Sequence, residues 1–255
     1  MAMQTLKNRT CVFAGATGGD GVAAVEALLR GGMNVIMVTH QAAQAQELLD
    51  RMNGLGLPGF CEVIGAGENG PAENQADTYA YIQKKYGSVD VVISNTGSLG
   101  KKDSPENVTS QELMESIGHL VSGGFDMVMA ALPFLKQSKA PRVILMTSVE
   151  GRRGGTMESF SNAVAKGAVL SLSLNLAARF AEYGICVNCI SKGAIPRKEG
   201  VLPGMADPYI MLPHIPLKRM GTPEDLAETI CYFASEESAY VTGQVLSVSG
   251  GMEMS

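Results

Sequence analysis

The sequence has no excess of positive charge. Its 255 residues include 20 Lys and Arg against 25 Asp and Glu, which gives a formal net charge of −5 at pH 7. Nucleic acids and anionic membrane surfaces attract basic proteins, so this balance argues against both as partners. The sequence also lacks any run near the roughly 18 apolar residues of a transmembrane helix. Its first ten residues are polar, unlike a signal peptide. We therefore expect a cytoplasmic protein.

Cysteine is scarce and odd in number. The five cysteines lie mostly in apolar runs, as expected in a reducing compartment. Cys186 and Cys189 have the spacing of half a zinc site. They fall in a predicted strand, however, where a separation of three residues places the two side chains on opposite faces. We therefore predict no metal site.

The chain also lacks internal repeats, low-complexity segments and domain boundaries. A length of 255 residues is sufficient for one large α/β domain, so we expect a single domain over 1–255. One stretch, 192–216, is irregular and contains five prolines. It is too apolar for simple disorder, and we interpret it as a substrate lid that can hold a short helix. A loop used in subunit packing is the alternative.

Short apolar, β-rich runs alternate with helix-like segments along the chain. Runs that are apolar on every residue are typical of parallel strands buried on both faces. The alternation predicts a doubly wound parallel sheet with right-handed crossovers. A (β/α)8 barrel is the alternative, but we find no eighth strand–helix pair. The predicted strands are 11–14, 35–39, 60–64, 89–94, 142–147, 185–190 and 244–248, and the predicted helices are 22–29, 41–54, 71–86, 109–137, 157–183 and 222–235.

A glycine-rich turn joins the first predicted strand to the first helix. Gly15, Gly19 and Gly21 have the spacing G-x-x-x-G-x-G. Glycines let the backbone approach an anion, and the following helix presents free N–H groups and the positive end of its dipole. The turn therefore predicts a phosphate-binding cradle. A tight strand–helix turn without a ligand is the alternative that this pattern alone leaves open.

Several ordered motifs together resemble the short-chain dehydrogenase/reductase family over nearly the whole chain. The resemblance implies a Rossmann-type sheet and hydride transfer between a nicotinamide coenzyme and a carbonyl or alcohol. The matching segments are the glycine turn, Asp90–Gly97 with its Asn95-Thr-Gly97 turn, Val143–Gly151, Val187–Gly193, Leu217–Asp225, and Tyr240–Gln244 with Gly250-Gly251.

The resemblance assigns catalytic roles to three positions. Ser148 matches the serine that holds the substrate oxygen, and Lys166 matches the lysine that binds the coenzyme ribose. A strand-end cap and a surface lysine are the respective structural alternatives. The family's tyrosine, four residues before the lysine, is replaced by Asn162. An amide is not a usable acid or base near neutral pH, so proton transfer must differ here.

Other departures fall around the same cleft. Ser159 occupies the tyrosine position of the family's enoyl-reductase branch, seven residues before Lys166. Leu120, beside His119, stands where a relay asparagine is expected. Asp20 replaces an apolar residue of the glycine turn, where a carboxylate would repel a diphosphate unless it points outward. Three further replacements are Lys192 for a proline, Arg197 for a threonine and Ser249 for an acid.

The end of the second strand indicates the coenzyme. NAD-preferring members carry an acid there, whereas this chain has Thr39 followed by His40. A 2′-phosphate is then not repelled, and an imidazole can bind it, so we predict NADP over NAD. The glycine turn itself holds no Lys or Arg. The resemblance assigns further coenzyme contacts to Thr17, Glu68, Asn95, Gly97 and Ile195, and again to Gly15, Gly19, Asp20, Gly21 and Lys166.

Three functions follow from this pattern. The first is an NAD(P)-dependent oxidoreductase acting on a carbonyl, alcohol or conjugated C=C bond. Its proton would come from solvent or from another acid such as Tyr209 or His119. The second is a catalytically silent subunit paired with an active relative, and the third is a nucleotide-sensing protein. The resemblance also implies a homo-oligomer, dimer or tetramer, formed through the helices at 109–137 and 157–183.

Overall fold

The structure is a computed structural model that describes residues 4–39, 41–65, 75–97, 103–154, 159–196 and 212–254. Within these ranges, seven parallel strands form one sheet in the order β3-β2-β1-β4-β5-β6-β7. The predicted doubly wound sheet is therefore confirmed. The strands are β1 (Thr10–Ala14), β2 (Asn34–Thr39), β3 (Cys61–Gly65), β4 (Val91–Ser94), β5 (Arg142–Ser148), β6 (Cys186–Lys192) and β7 (Val245–Val248).

Helices cover both faces of the sheet. On one face α1 and α8 pack on each other, and on the other α4 packs on α7 and α5 packs on α3. The described helices are α1 (Gly19–Arg30), α2 (Ala42–Gly54), α3 (Gln75–Tyr86), α4 (Ser110–Ile117), α5 (Gly123–Leu135), α6 (Glu150–Arg153), α7 (Phe160–Phe180) and α8 (Pro223–Ala234).

The apolar strand runs explain the two-sided core. Cys11 and Phe13 of β1 pack into the layer that holds α1 and α8, whereas Val12 packs into the layer that holds α5 and α7. Successive side chains of a strand point to opposite faces. An uninterrupted apolar run therefore fills both layers, as predicted for strands buried on both sides.

Helix starts follow capping chemistry. Thr222 accepts a hydrogen bond from the backbone N–H of Asp225, and the Asp225 side chain accepts one from the backbone N–H of Thr222. Pro223 occupies the first helical turn, as the sequence indicates. Thr109 and Glu112 form the same reciprocal cap at α4.

The predicted helix at 109–137 is not continuous. A π-helical segment, Gly118–Ser122, separates α4 from α5. Gly118 begins it, and Gly123 and Gly124 follow it; glycine disfavours a regular α-helix. Among the described residues, one stretch, Ser110–Leu135, is long and apolar enough to cross a membrane by length and composition. Length and composition alone do not separate such a helix from one of a soluble protein, and this one packs against α3 and α7.

Part of the predicted irregular stretch, 192–216, has regular structure. Lys192 is the last residue of β6, where it pairs with Ser148 of β5 and Val248 of β7. A short 3-10 turn, Leu212–His214, follows at the other end. The intervening residues 197–211, which include most of the predicted lid, lie outside the described part of the chain.

Candidate functional site

The predicted site residues converge at the carboxyl edge of the sheet. The chain leaves β1 towards β2 on one side and later returns to β4 on the other, so the strand order reverses between β1 and β4. Doubly wound sheets bind ligands in the crevice outside the carboxyl ends of the strands at such a point. Gly15, Asn95, Ser148 and Lys192 follow or end β1, β4, β5 and β6, respectively, and so share this edge.

Two glycines of the first turn are required by close backbone packing. Gly15 has a φ of +79°, and a Cβ there would overlap the carbonyl oxygen of Asn95. A Cβ at Gly21 would lie 2.5 Å from the carbonyl oxygen of Gly15. Gly19 differs, because a Cβ there would meet no protein atom within 4 Å. The turn therefore closes on its own backbone and leaves open space at Gly19, the first residue of α1, where an anion can approach the helix N-terminus.

A hydrogen-bonded bridge joins the glycine turn to the end of β2. The hydroxyl of Thr17 donates to the side-chain oxygen of Gln41 over 2.7 Å, and the backbone N–H of Gln41 donates to the hydroxyl of Thr39 over 3.0 Å. Thr39 is buried and uncharged, so this strand end presents no carboxylate to a 2′-phosphate. Sequence reasoning missed Gln41, because nothing in its local pattern marks it. His40, the predicted phosphate contact, lies outside the described residues.

Asp20 forms an ion pair inside the crevice. Its Oδ2 lies 2.6 Å from Nζ of Lys192, and its Oδ1 accepts a 3.1 Å hydrogen bond from the backbone N–H of Gly21. Lys192 also donates to Oδ1 of Asn95 over 3.2 Å. The two departures from the family pattern thus contact each other, although 172 positions separate them. The sequence analysis expects a carboxylate here to repel a diphosphate unless it points outward. In the structure, the Asp20 carboxylate is paired with the Lys192 ammonium.

Lys166 is buried beneath the same edge. The residue lies on α7, and its Nζ donates hydrogen bonds to the carbonyl oxygens of Thr96 at 3.1 Å and Met146 at 3.3 Å. The hydroxyl of Thr147 donates to the Lys166 carbonyl oxygen over 2.7 Å, which anchors α7 to β5. A buried ammonium requires such partners. Lys166 therefore lies between the ends of β4 and β5, and is not a surface lysine.

Ser148 ends β5 and is 6% exposed. Its Oγ is buried and has no hydrogen-bond partner among the described residues. Leaving a buried hydroxyl without a partner costs about 1–3 kcal/mol, so such groups are few in folded proteins. This hydroxyl is not a strand-end cap, which was the structural alternative. Its hydrogen-bonding capacity is therefore not used by any described residue.

Asn162 is buried in the first turn of α7. Ser159 is the N-cap of this helix, and its Oγ accepts a 3.1 Å hydrogen bond from the backbone N–H of Asn162. Ser159 therefore has a structural role. Asp103 accepts hydrogen bonds from the hydroxyl and the backbone N–H of Ser161, the latter over 3.1 Å. Partial burial raises the pKa of the Asp103 carboxyl, but these hydrogen bonds outweigh it and the net pKa is lowered. Asp103 thus acts as an anionic anchor and not as a proton donor near neutral pH.

The remaining predicted positions are less informative. Leu120 is buried in the π-helical segment, so the relay position is apolar. Gly97 is exposed directly after Asn95 and Thr96, and Ile195 packs against the core beside α1 and α8. Glu68, Arg197 and Tyr209 lie outside the described residues.

Thiol and metal chemistry find no support in the described ranges. Burial raises the pKa of the Cys189 thiol to about 12 and that of Cys231 to about 12, which suppresses the reactive thiolate. All five cysteines are free and buried. No group of three or more His, Cys, Asp and Glu side chains within the described residues could hold a metal ion.

Comparison with known proteins gives the family. The model of a family described as enoyl-(acyl carrier protein) reductase matches residues 15–253. The chain belongs to the short-chain dehydrogenase/reductase family. It is 28% identical over 260 residues to a 7alpha-hydroxysteroid dehydrogenase of Paraclostridium sordellii, covering 99% of this chain and 94% of that protein. It is 27% identical over 251 residues to a 3-oxoacyl-(acyl-carrier-protein) reductase of Staphylococcus epidermidis, covering 97% and 100%.

Solved structures show the same fold. YwfH, an NADPH-dependent reductase involved in bacilysin biosynthesis, superposes with a TM-score of 0.87 at 24% identity, covering 97% of this chain and 99% of YwfH. The L-sorbose reductase of Gluconobacter frateurii, complexed with NADPH and L-sorbose, gives a TM-score of 0.88 at 20% identity, covering 99% and 98%. At these identities the likeness concerns architecture.

The open space at Gly19 yields a first prediction. We expect Gly19→Ala to fold with an unchanged melting temperature, because its Cβ meets no protein atom. The added methyl should nevertheless weaken nicotinamide dinucleotide binding by about tenfold or more, since it occupies the path to the helix N-terminus. Isothermal titration calorimetry measures the affinity. Gly54→Ala, equally open but at the end of α2, is the control. Equal binding by both variants would place the diphosphate elsewhere.

Proposed function

We propose that this short-chain dehydrogenase/reductase is an NADP(H)-dependent oxidoreductase acting on a carbonyl, an alcohol or a conjugated C=C bond of a small molecule. The observation that carries the proposal is the buried Ser148 hydroxyl without a partner at the carboxyl edge of the sheet. A buried hydroxyl without a partner destabilises the folded protein, and a hydrogen bond to a substrate oxygen would remove that cost. The proposal includes the cytoplasm as its place of action.

The crevice fits a dinucleotide. Gly15 and Gly21 shape the turn, Gly19 leaves room for phosphate oxygens, and Lys192 neutralises Asp20 beside the first turn of α1. Thr39 favours NADP, because no carboxylate at the end of β2 opposes a 2′-phosphate. YwfH is an NADPH-dependent reductase and the L-sorbose reductase is complexed with NADPH, which supports the same choice.

Each chain residue has a distinct part in the proposed reaction. The bound coenzyme would supply or accept the hydride. Ser148 would donate its hydroxyl proton in a hydrogen bond to the substrate oxygen and so stabilise negative charge that develops there. Lys166 would hold a ribose hydroxyl while remaining bonded to the ends of β4 and β5. Asn162 would orient substrate through its amide but could not transfer a proton, which must come from solvent or from another group.

The lack of a proton donor at Asn162 bears on the substrate class. Relatives of the chain are named for 3-oxoacyl and hydroxysteroid substrates, and the matching family model is named for enoyl reduction. Reduction of a conjugated C=C bond tolerates a proton taken from solvent better than ketone reduction does, because the enolate formed first has a longer life. Ser159 is occupied as a helix cap, so the tyrosine of enoyl reductases has no counterpart at this position.

A silent or nucleotide-sensing subunit is the second candidate, and Asn162 favours it. Loss of the tyrosine removes the family's acid. The buried bonds of Lys166 to Thr96 and Met146 would persist in a scaffold without turnover. A protein of this kind would bind coenzyme, or keep only the shape of the site, and pair with an active relative.

Coenzyme titration with turnover assays tests the main proposal. We expect NADPH to bind more tightly than NADH. In turnover assays, enones or ketones should oxidise NADPH, or alcohols should reduce NADP⁺. Ser148→Ala should lower kcat by about 10²- to 10³-fold, because one donor to the developing charge is lost, while coenzyme affinity stays unchanged. Ser173→Ala removes a buried hydroxyl that donates to Leu170 and is the control. Coenzyme binding without turnover on any of the substrates would favour the silent candidate.

Restoring the tyrosine tests the assignment of the acid position. We expect Asn162→Tyr to create or raise ketone reductase activity, because a phenol four residues before Lys166 supplies the missing proton. Activity against a ketone panel and coenzyme affinity are measured together. Asn175→Tyr, on the exposed side of the same helix, should give no gain. No gain from Asn162→Tyr with coenzyme affinity preserved would count against the alignment of α7.

The proposal also includes a homo-oligomer, or pairing with an active relative, through α5 and α7. Large apolar side chains are exposed on both helices, including Phe125 and Met129 of α5 and Leu174 of α7. Exposed apolar patches of this kind are typical of protein interfaces.

We expect Met129→Glu to reduce the sedimentation coefficient of the wild-type dimer or tetramer to that of a smaller species, because it places a charge in the apolar interface. Leu55→Glu, which alters an exposed residue after α2, should not change it. A monomeric wild-type protein would contradict the homo-oligomer.

A further inference from the structure

The Asp20–Lys192 ion pair spans the crevice. Asp20 lies in the first turn of α1, and Lys192 ends β6 on the far side of β1, β4 and β5. Their side chains are only 16% and 17% exposed and approach to 2.6 Å. A partly buried pair is screened less by salt and water than a surface pair. The Asp20–Lys192 attraction is therefore stronger than that of an exposed ion pair.

The carboxylate occupies part of the helix N-terminus. Oδ1 of Asp20 accepts the backbone N–H of Gly21 at 3.1 Å. That N–H is one of the first-turn groups that an incoming phosphate would use. The Asp20 carboxylate thus lies at the helix N-terminus where the coenzyme diphosphate is expected to bind.

The ammonium is fixed by a second contact. Lys192 donates to Oδ1 of Asn95 at 3.2 Å, and Nδ2 of Asn95 donates to the Gly15 carbonyl oxygen at 3.3 Å. Lys192 is also the strand partner of Ser148 across β5 and β6. These contacts hold the cation beside both the glycine turn and the strand end that bears the unpartnered hydroxyl.

We infer that Asp20 and Lys192 jointly set the affinity for the coenzyme diphosphate: the Asp20 carboxylate opposes the bound phosphates, and Lys192 offsets that opposition. The inference rests on the proposed coenzyme binding. Removing one partner leaves the other charge uncompensated in a poorly solvated place, whereas removing both does not. The effects of the two residues on coenzyme affinity are therefore strongly non-additive.

A double-mutant cycle on coenzyme affinity tests the inference. NADPH and NADH are titrated into the full-length wild type, Asp20→Asn, Lys192→Met and the double variant, using calorimetry and nicotinamide fluorescence. We expect Lys192→Met to raise Kd about tenfold or more, because an unneutralised carboxylate then faces the phosphates. Asp20→Asn should bind as tightly as wild type or more tightly. The double variant should recover most of the affinity that Lys192→Met loses.

A matched control and a folding check accompany the cycle. Lys85→Met breaks the Lys85–Glu62 pair, 2.8 Å long, between α3 and β3, and should leave Kd unchanged. Thermal unfolding is recorded for every variant, and Lys192→Gln replaces Lys192→Met if the latter does not fold.

Three results would overturn the inference. Lys192→Met could bind coenzyme as wild type does, Asp20→Asn could bind more weakly, or the double variant could bind no better than Lys192→Met. The last result would mean that Lys192 acts on coenzyme independently of Asp20. If the wild type binds neither nucleotide, the proposed function fails and the inference fails with it. If the wild type binds but the cycle shows no coupling, only the inference fails.

Discussion

The contact between the glycine turn and the end of β4 is the constraint on which the site depends. Gly15 and Asn95 pack so closely that no Cβ fits between them, and the Asn95 N–H donates to the carbonyl oxygen of Ala14 over 3.0 Å. This contact joins β1 and β4, the two strands between which the strand order reverses. It sets the start of α1 against the crevice, and it places the Asn95 side chain where Lys192 reaches it. The open space at Gly19 and the hydrogen bond from Lys192 to Asn95 both lie beside this contact.

The sequence predicts the architecture well because the strand signal is local. Apolar runs such as 143–146 are buried on every residue, so their burial on both faces can be predicted without knowing which elements pack on them. The caps at Thr109 and Thr222 are equally local, since their partners lie three residues away. The π-helical segment at Gly118–Ser122 was not predicted, because it depends on how α4 and the segment itself pack against α7.

The site is predicted less completely, for a physical reason. A motif identifies which residue stands at a position but not which distant side chain neutralises it. Asp20 and Lys192 therefore look like two separate losses in the sequence and are one interaction in the fold. Gln41 was missed for the same reason, since its contact with Thr17 spans the turn and the end of β2. His40 and Glu68 stay predictions, because they lie outside the described residues.

The retained residues bear unequally on whether catalysis survives. Lys166 has a structural role, because its ammonium donates hydrogen bonds to backbone carbonyls of Thr96, after β4, and Met146, in β5. A catalytically silent protein of this fold would need these bonds as much as an enzyme would. Ser148 is different. Its buried hydroxyl makes no hydrogen bond in the described structure and costs about 1–3 kcal/mol of folding free energy. An alanine at this position would remove that cost. A scaffold gains nothing from the hydroxyl, whereas an enzyme that stabilises charge on a substrate oxygen does. Ser148 therefore supports the proposed oxidoreductase over the silent subunit. Under that proposal, Asn162 limits the chemistry to reactions whose proton comes from another donor.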